Sequence, residues 1–214
     1  RWRQCESIND RSIELLNVLP RNHEQKIDLL LELALVTEHP WNAKMLHNNL
    51  AAKKMPQRDA WWTLAINESE WDEPRPSERI VRWALGPAVS RCSNDCLSLA
   101  LVAVGWLFTS TNSRLRDRAT KAVTHILLHS SELFPEMLKR FKDIDDVYVL
   151  ERVLAAAAGA CLRDPDPDRL KIYAQSVYLA IFARPKVTPH ILLRDYARLI
   201  IDMAEQKGAL PKGI

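Results

Sequence analysis

The chain has 214 residues, twelve prolines and five glycines, with 30 Lys and Arg against 27 Asp and Glu. So few glycines exclude a β-protein built on tight Gly-rich turns and a dinucleotide fold, and point to an all-α chain. The length suffices for one well-packed core or for a short array of repeats that share one.

Charge is uneven along the chain. Residues 1–107 carry 13 Lys and Arg against 14 acids, and residues 108–214 carry 17 against 13. A surplus of four spread over the second half argues weakly for nucleic acid, which asks for a concentrated basic stripe. Cys5, Cys92, Cys96 and Cys161 are too scattered for a disulfide scaffold, so the expected setting is reducing and cytoplasmic. No secretory signal opens the chain, and the longest apolar run, Leu99 to Phe108, is half of what a bilayer span needs. No membrane association is expected. Arg1 stands where a Met would, and no finished terminus closes the chain at Ile214. A piece of a longer protein with flanking domains is therefore expected.

In chain order, a short helix is predicted over Asp10–Val18 with Ile13, Leu16 and, at the edge of that face, Leu15 inward. Asn22 then caps a second, with Gln25 in capping-box position and Ile27, Leu30, Leu31, Ala34 and Leu35 inside, running to His39–Pro40. Asn42–Lys53 and Pro56–Glu68 form a helical pair, Pro56 standing where its missing N–H costs nothing. The polar stretch Glu70–Pro76 reads as a loop. A helix over Ser77–Cys92, with Ile80, Val81, Trp83, Ala84 and Leu85 inside, is expected to bend at Gly86–Pro87. Ser93 or Asn94 caps a helix through Thr109 that is apolar all round and so belongs at the centre. Helices follow over Asn112–Leu128, near Glu132–Lys142, and over Asp146–Leu162, Pro167–Ala183 and His190–Lys207. Pro135, Pro167 and Pro189 stand at or near helix starts. No domain boundary is visible.

Three of these helices share one pattern. Leu115, Ala119, Ala122, Val123, Ile126 and Leu127 make one helical face. Leu150, Val153, Leu154, Ala157, Ala158, Cys161 and Leu162 repeat it, as do Leu193, Tyr196, Ala197, Ile200, Ile201 and Ala204. In phase with these faces stand Arg116-Asp117, Glu151-Arg152 and Arg194-Asp195, with a fainter echo in Arg58-Asp59. The separations of 35 and 43 residues suit two helices per repeat, so a HEAT-like α-solenoid of stacked antiparallel pairs is expected. Adjacent residues on a helix point apart, so Arg116 and Asp117 cannot pair with each other. The eight charges are assigned to a structural inter-repeat ladder rather than to a functional site, with Lys121 as a further partner for Asp117.

Chemistry-bearing motifs are scarce. His125 and His129 have the spacing of two metal ligands on a helix, but Ile126 stands where a zinc protease needs glutamate and no third ligand is evident. Cys92 and Cys96 lack a second cysteine pair and read as helix-end packing. The carboxylates Glu68, Glu70, Asp72 and Glu73 lie in a charged loop, where solvation is the default. Neither a phosphate-binding Gly-x-x-x-x-Gly-Lys-Ser/Thr loop nor a Gly-x-Ser-x-Gly elbow occurs. No catalytic residue, cofactor or metal is therefore assigned.

At Arg58 to Trp62, Trp106 to Asn112 leading into Leu115 to Asp117, Asp146 to Arg152, and Leu193 to Arg198, the sequence resembles the α-helical region that follows the NTPase core of large bacterial NACHT or STAND-type ATPases, antiviral defence proteins among them. The likeness covers roughly residues 55–207. It departs at Val147, where a small residue or proline is usual, and at the alanine run 155–158, where an aromatic is expected before the glycine. The resemblance implies a HEAT-like solenoid serving as sensor or scaffold arm, with nucleotide hydrolysis and any effector elsewhere in the full chain. It also implies a protein partner, such as a phage component. The alternative is a HEAT-like DNA repair glycosylase, suggested by seven tryptophans and a basic second half. All seven tryptophans precede residue 107, whereas that chemistry needs aromatics and cations in one groove.

Overall fold

Asn112 shows how the sequence sets a helix boundary here. Its side chain accepts from the backbone N–H groups of Arg114 and Leu115, satisfying donors that the first turn cannot use. Asn42, Ser93, Asp146 and Asp166 cap their helices the same way. The computed structural model describes residues 23–67, 74–185 and 188–213, and every regular element among them is helical. The helix expected at 10–18, its neighbour's cap Asn22, Cys5, Trp2, Trp71 and the acidic group from Glu68 to Glu73 lie outside the described residues.

The helices are α1 (His23–Leu33), α2 (Ala43–Ala51), α3 (Met55–Arg58), α4 (Leu64–Asn67), α5 (Pro76–Ala84) and α6 (Asn94–Trp106), followed by α7 (Ser113–His129), α8 (Phe134–Phe141), α9 (Val147–Arg163), α10 (Pro167–Val177) and α11 (Ile191–Gln206). A π-helical turn, Asp59–Thr63, joins α3 to α4, and another, Tyr178–Phe182, prolongs α10.

Neighbour relations order these helices into two rows. In one, α1 packs on α5, α5 on α7, α7 on α9 and α9 on α11; in the other, α2 packs on α6, α6 on α8 and α8 on α10. The core lies between the rows. Its centre is α6, where Leu97 and every residue from Leu99 to Trp106 is buried. A helix with partners on several sides cannot keep a polar face, which is why this one is apolar all round.

Several expected boundaries differ. α1 stops at Leu33 rather than near His39, because the chain turns early to bury Trp41 beside His39. The Trp41 amide donates to His39 Nδ1 at 3.0 Å, and Asn42 Nδ2 donates to Thr37 O at 3.0 Å. α5 ends at Ala84 instead of bending at Pro87, and a separate 3-10 turn covers Pro87–Arg91. Pro87 lacks the N–H that a continuing helix would need, so the helix terminates. Leu85 and Leu162, both expected inside, are exposed, Leu162 at 60%. Each sits at a helix C-terminus beyond its last packed turn. Trp83 is only partly buried.

The three in-phase helices are consecutive neighbours in the first row. Arg152 Nη1 lies 3.3 Å from Asp117 Oδ1, and one turn or more along both helices Thr124 Oγ1 lies 3.1 Å from Ala156 O. Residue numbers climb together across the contact, so α7 and α9 run parallel. Glu151, just past the first turn of α9, meets His190, the N-cap of α11, so those N-termini share an end as well. Burial on α9 exceeds the single stripe read from the sequence, since Val149, Ala156 and Ala160 are also buried. With α7 and α11 on its flanks and α8 and α10 behind it, α9 has little free surface left.

Candidate functional site

The eight charges of the supposed ladder have different fates. Arg58 is 1% exposed. Its guanidinium donates to Lys53 O at 2.6 Å and to Asp145 O at 2.5 Å, and lies 5.6 Å from the Trp106 ring centroid. A cation so placed ties the α2–α3 connection to the α8–α9 connection rather than one repeat to the next. Asp59 accepts from the Thr63 hydroxyl at 2.9 Å, inside its own element. Arg116 donates to Ser110 O at 2.8 Å and stacks on Tyr148, 5.6 Å from its centroid. Asp117 and Arg152 meet across α7 and α9. Asp117 thus looks to Arg152 rather than to Lys121. Glu151 is buried and faces His190 Nε2 at 3.5 Å. Arg194 and Asp195 are exposed, and neither has a hydrogen-bond or ion-pair partner among the described residues. Of the four charged pairs, only those on α7 and α9 are brought together as a rung. Helical phase alone could not show this, because α11 turns its charged pair away from α9.

Two of the segments that carry the family resemblance, Arg58 to Trp62 and Trp106 to Asn112, meet in the core. Trp62 Nε1 donates toward Trp106 O at 3.1 Å and Thr109 Oγ1 at 3.0 Å. Asn67 Oδ1 accepts from the Thr111 amide at 3.0 Å and from the Ser110 hydroxyl, holding the turn that leads into α7. Trp106 Nε1 donates to His47 Nδ1 at 3.2 Å, and the rings of His47, Trp106 and Phe141 pack edge to face. Burial, with the Arg140 cation adding to it, pushes the His47 pKa down to about 4. The imidazole is neutral near pH 7, as an acceptor for the indole N–H must be at Nδ1.

Above that layer, α7 and α9 enclose a groove of about 320 Å³. The small residues Ala155 and Gly159 line it, as do Lys121, Arg152 and Arg163 together with Asp117. Small residues open this groove because Thr124 must come close enough to reach the Ala156 carbonyl. Gly159, Tyr148 and Arg163 were not singled out from sequence as site residues. Tyr148 was legible only as a family-like residue, whereas here it is the ring on which Arg116 and Arg152 both lie, Arg152 at 5.1 Å. Equally unforeseen is Arg75, which bonds Glu24 at 3.2 Å and Asp28 at 3.1 Å and donates to Ala65 O, cross-linking α1, α4 and the start of α5.

Other candidates carry no reactive arrangement. His125 Nδ1 lies 2.8 Å from Ala84 O, and its ring packs edge-on to His129 at 4.9 Å. Among the described residues no group of three His, Cys, Asp or Glu is placed to hold a metal ion. Burial pushes the Cys161 thiol up to about 12, and burial with Cys92 beside it raises Cys96, so neither is a ready nucleophile. Trp41, Trp62 and Trp106 are buried in the core, where no base could stack on them. No helix among the described residues is long and apolar enough to cross a membrane. No family model matches the chain, and no curated protein or solved structure matches it either.

Proposed function

We propose that this chain is a HEAT-like α-solenoid that works as a non-catalytic scaffold or sensor region, binding protein, within a larger STAND or NACHT-type ATPase of bacterial antiviral defence. The observation that carries the reading is the consecutive packing of α7, α9 and α11 with their N-termini at one end, which is how repeated helix pairs bury faces that none can bury alone. The meeting of Arg58, Trp62, Trp106, Ser110 and Tyr148 in one layer supports it further, since these come from separate segments of the resemblance. Nucleotide chemistry in this reading belongs to flanking parts of the longer chain, because these residues offer no phosphate loop.

The rival, a HEAT-like DNA repair glycosylase, draws on the basic second half, yet Trp41, Trp62 and Trp106 are buried in the core and Tyr148 is covered by Arg116 and Arg152. An anisotropy titration with labelled duplex DNA at about 50 and 200 mM salt separates the two, because phosphate contacts make affinity fall steeply with salt. We expect no such binding and no base release from an alkylated duplex. Steep salt-dependent binding together with base release would replace our reading with the rival.

A further inference from the structure

The excess positive charge of the second half is not diffuse. α7 carries Arg114, Arg116, Arg118 and Lys121 against Asp117, and α9 carries Arg152 and Arg163 against Glu151. Together they hold a net +4, which is the whole surplus of residues 108–214, 17 against 13. The rest of that half is neutral. Glu151 moreover spends its charge on the far side of α9, against His190, and so does not neutralise the α7 side.

We infer that the groove between α7 and α9 is a docking site for an acidic, extended segment of a partner protein. This rests on the interaction reading above and names the chemistry of the partner. Arg152 and Arg163 stand eleven residues apart on α9, which at 1.5 Å per residue is about 16 Å of groove. An extended chain at about 3.3 Å per residue places five residues along that length. The hydroxyls of Thr120 and Thr124 are committed to the carbonyls of Arg116, Thr120 and Ala156, so recognition falls to the cations. Lys121 and Arg163 are exposed and have no hydrogen-bond or ion-pair partner among the described residues. Asp117 already holds Arg152 in place at the groove's N-terminal end. Carboxylates of a bound segment reach Lys121 and Arg163, while its backbone lies over Ala155 and Gly159, where no larger side chain stands in the way. A nucleic acid fits less well, since the Tyr148 ring beside Arg152 is occupied by two guanidiniums and cannot stack a base.

The probe is a rhodamine-labelled hexaglutamate, titrated by anisotropy with the full chain at about 50 mM salt, where surface charges are little screened. Binding should weaken about tenfold or more in the double variant Lys121→Glu/Arg163→Glu. The control Lys139→Glu/Lys171→Glu changes net charge equally on exposed positions of α8 and α10 and should stay within about twofold of wild type. Unchanged far-UV dichroism and melting temperature establish that both variants fold. Absence of hexaglutamate binding, or equal loss in both variants, overturns the groove assignment while leaving the scaffold reading to its own duplex test. Tighter binding of a hexathymidylate, abolished by the same groove variant, overturns it in favour of single-stranded nucleic acid.

Discussion

His47 carries an acid sensitivity that can be worked out in sign. Its folded pKa, about 4, lies below the ordinary histidine value because burial and Arg140 disfavour the charged ring. The unfolded chain therefore takes up the proton first, near pH 6.5, and stability present above that pH is lost progressively as pH falls toward about 4. The loss amounts to at most about 3 kcal/mol. Urea midpoints measured between those pH values should fall in wild type and much less in His47→Gln, where an amide oxygen can still accept from Trp106. Arg58 offers a contrast between buried and exposed charge. Arg58→Ala removes two carbonyl partners and the Trp106 stack from a buried site, and should cost about 3 kcal/mol or more in a denaturant titration. Asp117→Ala breaks a rung whose acid is 60% exposed, and should cost no more than about 0.5 kcal/mol. Equal losses in the two variants would contradict the assignment of Arg58 as the structural cation.

For elements, the crossing of α6 and α8 is the tightest point identified. A Cβ built on Gly105 would stand 2.7 Å from Phe141 Cζ, and that buried ring packs edge-on against both His47 and Trp106. Gly105→Ala should thus destabilise by about 1 to 3 kcal/mol despite its better helix propensity. A thermal melt reads this directly, and a raised melting temperature would mean that α8 can move outward. The position is conspicuous in the sequence only as a glycine in an apolar run. Its need for glycine comes from Phe141, 36 residues later. The π-helical turn at Asp59–Thr63 is similar in kind. No residue there announces it, and it turns the indole of Trp62 toward the carbonyl of Trp106.

Taken whole, the molecule's two rows imply graded protection. α6 and α9 have neighbours on several sides, whereas α11 packs on α9 and on α10 with the turn that prolongs it, fewer neighbours than either of those two. Amide exchange followed by mass spectrometry should be slowest in α6 and α9 and faster in α11, since local opening follows the number of packed sides. Uniform protection would argue for one indivisible core instead. Helix positions, caps and inner faces were readable in advance because the 3.6-residue period and side-chain capping act within a few residues of each other: Asn112, Asp146 and the face from Leu115 to Leu127 needed no partner to be recognised. The fate of the charges was not readable in that way. Arg58, Arg116, Glu151 and Arg194 stand in equivalent phase, yet one is buried under an indole, one stacks on a tyrosine, one faces a histidine and one points to solvent. The sequence by itself determined most of the inner face of each helix, since burial there follows local periodicity, but not Leu85 and Leu162, which lie outside, or Val149, Ala156 and Ala160, which neighbouring helices cover. Only the packing of α7 beside α9 decided where a long charged side chain finds its partner and set Lys121, Arg152 and Arg163 around one groove, because those distances join residues more than thirty positions apart.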